Sequence, residues 1–254
     1  LTPLLSLRGL TKRYPAPAFW GGAPTLAVDG VNLEVLPGEV VGLIGESGCG
    51  KTSLARTSVG LLARDGGEVR VLGEDPERLH GRARARLRGK AQLLLQDPGA
   101  SLNPGLRVRD TLAESARIHR PGSADEALAR FALTARADAL PHQLSGGEKR
   151  RVTLAMLWIS QPLLTIADEP TAGLDAARKA EVLDLLIGRE RPEETGFLLI
   201  SHDLPLVLYA CTRIVVMSAG RLVDAFTPAE VQDTARHPLS RRLLWASGMI
   251  AEPT

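Results

Sequence analysis

The chain has 254 residues, 44% hydrophobic and 24% charged, with a formal net charge of +2. That length buries a full core, as one large domain or a core with a subdomain, and a charge so near balance gives no global electrostatic case for nucleic acid. No apolar run reaches the roughly 18–20 residues that span a bilayer, Leu1-Thr2-Pro3-Leu4 lacks the regions of a signal peptide, and two cysteines make no disulfide framework, so a reduced, cytosolic setting is expected.

Residues 4–10 alternate as a first strand, Tyr14 follows it, and 15–25 form a loop rich in Pro, Gly and Ala. Residues 27–35 alternate as a second strand, and Pro37-Gly38 turns the chain into an apolar run over 39–44. That run feeds Gly45-Glu46-Ser47-Gly48-Cys49-Gly50-Lys51-Thr52, which fits the phosphate-loop pattern G-x-x-x-x-G-K-[ST], and a helical pattern continues to Leu62. Strand, glycine loop and helix are the context the pattern needs. Glycines let consecutive N–H groups turn inward as a nest for phosphate oxygens. The helix opening at Lys51 adds its positive end. Lys51 is expected to reach the β- and γ-phosphates, and the Thr52 hydroxyl to hold Mg²⁺.

Residues 68–72 read as a further strand, so the opening third is expected to be largely antiparallel β plus the phosphate-loop unit. Residues 78–90 carry Arg78, Arg82, Arg84, Arg86, Arg88 and Lys90. A basic run of this kind suits a nucleic-acid or membrane-surface patch. The favoured reading is a solvated helix face, with Leu79, Ala83 and Leu87 turned inward at a spacing of four. A buried strand over 92–95 ends at Gln96-Asp97-Pro98. Residues 108–140 read as a mostly helical insertion. In it Ser123-x-x-Glu126 opens a helix carrying Leu128, Phe131 and Ala135 on one face.

Strands and helices alternate again from residue 163, with strands over 163–167, 197–200 and 213–217 and a helix over 177–187 stopped by Gly188 and Pro192. Such alternation implies a parallel sheet with helices on its faces. The first of these strands closes on Asp168-Glu169. Phosphoryl transfer to water needs a carboxylate for Mg²⁺ and a base or water-positioner beside it, and these two residues suit those roles in turn. Before them, Ser145-Gly146-Gly147-Glu148 opens a helical pattern over 149–159. Free N–H groups, a hydroxyl and a helix dipole make a second anion cradle. One nucleotide needs one cradle, so the second implies a second site or a site shared with another subunit.

Together these motifs resemble the ABC ATPase family over nearly the whole chain. The resemblance implies an α/β fold: a P-loop NTPase core with an N-terminal antiparallel β subdomain and an inserted α-helical subdomain. The expected division is an ATP-binding core at 1–105 and 148–225, a helical subdomain at 106–147 and a short helical tail at 226–254. Gly45 to Thr52, with Ser53 beside it, matches Walker A. Tyr14 looks like the aromatic that stacks on adenine, and Gln96 like the glutamine that senses Mg²⁺ and the membrane partner. Leu144 to Glu148 matches the signature motif, Asp168 and Glu169 match Walker B and the catalytic glutamate, Asp175 lies in the D-loop, and His202 matches the switch histidine. ATP and Mg²⁺ are the implied cofactors. In that family two such domains dimerise head to tail, and the signature of one caps the γ-phosphate held by the other.

Finer features resemble the ATPases of oligopeptide, dipeptide and nickel importers. These are the segment Gln96-Asp97-Pro98-Gly99-Ala100-Ser101-Leu102-Asn103-Pro104, the switch Ile200-Ser201-His202-Asp203-Leu204, and the His-Pro segment His237-Pro238-Leu239-Ser240-Arg241-Arg242-Leu243-Leu244. The resemblance implies an importer for peptides or for nickel and other metal chelates. Its partners are a second ATPase subunit in a hetero- or homodimer, two membrane permease subunits and, through them, a substrate-binding protein. The implied place is the cytoplasmic face of the inner (plasma) membrane. Some features depart from that group. Glu148 stands where those importers usually carry Gln, and Met156 where the family often has Arg. Neither Cys49 nor Cys211 lies in a C-terminal cluster-binding tail, so no iron–sulfur cluster is expected. The competing reading is a soluble ABC ATPase acting on a ribosome, nucleic acid or an enzyme complex, supported by Glu148-Lys149-Arg150-Arg151 and the arginines at 82–88.

Overall fold

A computed structural model describes residues 2–15, 24–95, 98–119, 123–174, 176–187, 192–232 and 237–250. In chain order its strands are β1 (Leu5–Tyr14), β2 (Thr25–Val35), β3 (Val40–Gly45), β4 (Gly66–Val71), β5 (Ala91–Leu94), β6 (Leu164–Asp168), β7 (Gly196–Ile200), β8 (Arg213–Ser218) and β9 (Arg221–Phe226). Its helices are α1 (Lys51–Ser58), α2 (Gly81–Lys90), α3 (Val108–His119), α4 (Ala124–Arg130), α5 (Gly146–Ser160), α6 (Ala176–Ile187), α7 (Leu204–Ala210) and α8 (Pro238–Ala246).

The strands form two sheets. An antiparallel sheet runs in the order β2-β1-β4, and a six-stranded sheet in the order β5-β6-β7-β3-β8-β9. The larger sheet is parallel except for β9, which returns antiparallel to β8. Strands β3, β6 and β7 are buried along their whole length, as apolar runs covered on both faces must be. The two-residue period divides each strand between two cores. Val41 and Leu43 of β3, Leu198 and Ile200 of β7, and Val215 and Met217 of β8 join the core under the antiparallel sheet. Val40 and Ile44, Phe197 and Leu199, and Ile214 and Val216 join the core that continues into the helical region. Gly42 lets α7 approach: a Cβ there would lie 2.3 Å from Val207 Cγ1.

Several boundaries differ from the sequence expectation. Helix α1 stops at Ser58, short of Leu62, because Gly60 turns at φ +70° and the N–H groups of Leu61 and Leu62 fold back onto the Arg56 carbonyl. Ser123 caps α4 as expected, its hydroxyl accepting from the Glu126 N–H at 3.4 Å. Leu128 and Phe131 are buried, but Ala135 is exposed. The helix ends at Arg130 and Ala132 turns at φ +52°, so Leu133 and not Ala135 reaches the core. On α2 the inward face is narrow: Leu87 is buried and Ala83 half-buried, while Arg86 reaches Glu74 at 3.2 Å. Gly188 lies outside the described residues. No described helix is long and apolar enough to cross a membrane.

Candidate active site

The phosphate loop leaves the C-terminal end of β3, a central strand between β7 and β8. Its glycines answer close approach. A Cβ on Gly45 would lie 2.2 Å from the Met217 carbonyl oxygen, and one on Gly50, at φ +111°, 1.9 Å from that of Ala27. The Gly220 N–H, in the turn between β8 and β9, donates to the Cys49 carbonyl at 3.0 Å and ties the hairpin to the loop. No side chain caps the N-terminus of α1, so its first N–H groups and dipole are left for an anion. Lys51 folds back over the loop. Its Nζ donates to the carbonyls of Gly45 at 2.8 Å and Glu46 at 2.9 Å, with Cys49 Sγ at 3.7 Å.

Beside the loop, Thr52 lies next to Asp168, which ends β6 and is 3% exposed. Burial pushes the Asp168 carboxyl up; Thr52 draws it down, and the neighbouring Glu169 charge adds to the rise. A hydroxyl and a desolvated carboxylate side by side are hard oxygen donors, and they fit Mg²⁺. Glu169 follows in the left-handed region, φ +52°, its N–H on the Ile200 carbonyl at 2.9 Å. That turn brings its carboxylate to His202: Oε1 lies 2.7 Å from Nδ1. Because β6 and β7 are neighbours, Asp168 and Ile200 are in register and the acidic pair and the histidine emerge together. The carboxylate fixes the ring through Nδ1 and leaves Nε2 for another partner. Asp203 caps α7 through the Leu206 N–H at 3.3 Å and pairs with Lys179 at 2.5 Å, which anchors the segment after His202.

Tyr14, at the end of β1, meets the first turn of α1: its hydroxyl lies 3.2 Å from Ser53 Oγ. The ring is 37% exposed, with Lys12 Nζ 5.7 Å from its centroid. Gln96 and Asp175 lie outside the described residues.

The Ser145–Glu148 segment forms a complete capping box at the start of α5. Ser145 Oγ accepts from the Glu148 N–H at 3.2 Å, and the Ser145 N–H donates to Glu148 Oε2 at 2.8 Å. Arg136 Nε donates to the other carboxylate oxygen at 2.7 Å. These contacts, the Ser145 N–H first, hold the Glu148 carboxyl down at about 2. A lowered carboxyl stabilises the fold above its ordinary value, and that stability is lost as pH falls from near 4.5 toward about 2. Glu148→Gln keeps an oxygen acceptor and loses the charge. It is expected to lower Tm by about 2 °C at pH 7, with the difference from wild type closing by about pH 2, in thermal melts across that range.

A Cβ on Gly146 or Gly147 would meet nothing within 4 Å. Among the described residues nothing demands glycine there. Among the described residues no hydrogen bond or ion pair joins Ser145, Gly146, Gly147 or Glu148 to the phosphate loop. The contacts above gather Tyr14, Lys51, Thr52, Asp168, Glu169 and His202, and none of them includes Ser145–Glu148. Sequence reasoning missed two tertiary supports. Arg150 Nη1 donates to the Ala172 carbonyl at 2.8 Å and steadies the loop after Glu169. Arg242, in the His-Pro segment, pairs with Glu46 of the phosphate loop.

The family model for ABC transporters matches residues 28–172, more than half of the chain. The chain belongs to the ABC transporter family. It is an ABC ATPase, and the phosphate loop and the Asp168–Glu169 pair both fall within the matched stretch. A Brucella ovis protein assigned by name to peptide import ATP binding is 35% identical over 253 residues, covering 96% of this chain and 78% of that one. The oligopeptide transport ATP-binding protein OppD of Mycobacterium tuberculosis is 37% identical over 98% of this cassette and 42% of its own length. OppF of Streptococcus mutans is 36% identical over 87% of this cassette and 74% of its own length. Among solved structures, the ATP-binding subunit of an ABC transporter superposes with a TM-score of 0.77 at 22% identity, over 98% of this cassette and 95% of that chain. A dimeric ATP-binding cassette bound to ADP and Pi gives 0.76 at 24% identity, over 88% and 98%. At those identities the likeness is one of fold, and the fold is that of an ABC cassette: an antiparallel β subdomain, a mixed core sheet and a helical region.

Proposed function

We propose that this cassette is the ATP-hydrolysing subunit of a peptide importer and works as a head-to-tail dimer. The observation that carries the reading is the division of the site. A hydrolytic half gathers Lys51, Thr52, Asp168, Glu169 and His202, while the signature cradle is exposed, with two glycines whose open side no described residue fills. Gly45 to Ser53 bind the phosphates of ATP, Tyr14 stacks on its base, and Ser145, Gly146 and Gly147 close on the γ-phosphate of a partner cassette. Thr52 and Asp168 would hold Mg²⁺, with Gln96 as the third candidate, and Asp175 is a further candidate for nucleotide binding. The ion supplies charge neutralisation on the phosphates. Glu169 orients and deprotonates the attacking water, and His202, fixed by Glu169, holds the γ-phosphate.

In the same reading 1–105 and 148–225 form the ATP-binding core, 106–147 the helical subdomain and 226–254 the tail. Peptides are the favoured cargo class because OppD, OppF and the Brucella protein are named for peptide or oligopeptide transport. The cassette then sits at the cytoplasmic face of the membrane on two permease subunits, beside a second ATPase subunit. Purification of the native complex in detergent, with mass spectrometry, tests this. Two permease chains and a peptide-binding protein are the expected companions. Ribosomal or soluble enzyme partners without a permease would overturn the importer and leave the ATPase standing.

A further inference from the structure

We infer that Arg242 is a positioning residue for the phosphate cradle, neutralising and fixing Glu46 so that the loop can accept a polyphosphate. Glu46 is the only acidic residue of Gly45–Thr52. Its carbonyl is one of the two that hold Lys51 Nζ. Its carboxylate, on the loop that receives a highly charged anion, opposes that anion unless it is compensated. The compensation comes from 196 positions downstream, where Arg242 Nη2 donates to Glu46 Oε1.

Packing sets where Arg242 stands. Leu239 and Leu244 of α8 are buried in the same core as Phe226 and Val231. The His237 N–H donates to Asp224 Oδ2 of β9 at 3.3 Å, and His237 Nδ1 accepts from the Leu239 N–H at 3.2 Å. β9 pairs with β8, and the turn between them holds the Cys49 carbonyl. The hairpin and α8 thus form one support leading to the loop. The His-Pro segment, which the catalytic chemistry leaves without a task, is the part that presents the guanidinium.

Stability does not explain the pair. Its side chains are 61% and 51% exposed, and ion pairs in water at that exposure add little to folding. Its effect falls on the charge that enters the loop. The inference rests on Gly45–Thr52 being the ATP cradle.

The test is steady-state ATP hydrolysis and direct ATP binding by the full chain, with Arg242→Gln, Arg242→Lys, Glu46→Gln and the double variant Arg242→Gln/Glu46→Gln. At low salt Arg242→Gln is expected to raise KM for ATP about three- to tenfold with kcat within about twofold, and the rise should shrink at high salt. Arg242→Lys should restore KM, and Tm should stay level throughout. Glu46→Gln, whatever its own KM, is the reference background, and the double variant should show no further rise over it. Two results overturn the inference: an unchanged KM in Arg242→Gln, or an equal rise in the Glu46→Gln background, which would mean that Arg242 attracts phosphate directly or acts through α8 packing. Lys51→Met serves as the control. If it loses ATP while Arg242→Gln leaves KM unchanged, this inference alone falls. If it retains ATP, the cradle reading falls and this inference with it.

Discussion

Glu169→Gln is expected to lower kcat for ATP hydrolysis by about 10²–10³-fold and to leave nucleotide affinity within about twofold of wild type. The geometry separates the two effects. In the proposed reading phosphate is gripped by the loop of Gly45–Thr52 and by Lys51, while Glu169 lies past the end of β6, one residue after Asp168. An amide in place of the carboxylate keeps size and hydrogen bonding but accepts no proton from water. It also changes the partner of His202, whose Nδ1 lies 2.7 Å from Glu169 Oε1. With the carboxylate, Nδ1 carries the proton and the ring is held in one orientation; an amide can donate or accept there and fixes neither. His202→Ala should therefore cost rate as well, and the two substitutions together should cost less than the product of the separate losses, because they share one bond. Turnover in the assembled complex, with binding of a fluorescent ATP analogue, reads both quantities. Near wild-type turnover by Glu169→Gln would remove Glu169 from the chemistry.

The site was legible in the sequence where backbone chemistry dictates residue type. Gly45 and Gly50 stand where a Cβ would strike a carbonyl oxygen, so the phosphate loop is written as glycines at fixed spacing. Asp168 and Glu169 were legible because a strand buried on both sides must be apolar, and two acids at its end interrupt that run. The bond from Glu169 to His202 needed the strand order β6-β7, which no local pattern contains. β9 was missed because it is an edge strand, half-buried over Leu222–Asp224 and exposed at Arg221 and Ala225, with no clean alternation to betray it. Ala135 was misplaced because helical spacing was carried past Arg130, where the backbone turns at Ala132. Arg242 sat in a segment already singled out, yet its partner lies across the fold. Spacing along a chain carries local geometry; a pairing between β3's loop and α8 is a property of the assembled core.

Lys51→Met is expected to weaken ATP binding by about 100-fold or more and to abolish measurable turnover, because the variant loses a charge-assisted contact to phosphate and the positive charge itself. Its effect on folding is expected to be small. In the structure Lys51 Nζ donates to the Gly45 and Glu46 carbonyls, at 2.8 and 2.9 Å. Removing those bonds leaves two carbonyls on a loop that is partly open to water, so a fall in Tm of about 2–4 °C is the scale. The same two carbonyls define a competition. To reach a phosphate, Nζ must exchange them for anionic oxygens, so the loop's own carbonyls hold the lysine ready and set a threshold that a weakly charged ligand does not cross. A nucleoside monophosphate should bind far more weakly than ATP in wild type, and the gap should narrow in Lys51→Met, where no exchange occurs. Lys51→Arg separates charge from shape: a planar, longer guanidinium keeps the charge but not a point donor between two carbonyls. It should recover part of the ATP affinity and little of the turnover. Isothermal titration with ATP and AMP on the three proteins, beside their melting curves, measures each term. If Lys51→Met keeps wild-type ATP affinity, the bonds to Gly45 and Glu46 are structural and Gly45–Thr52 is not the ATP cradle.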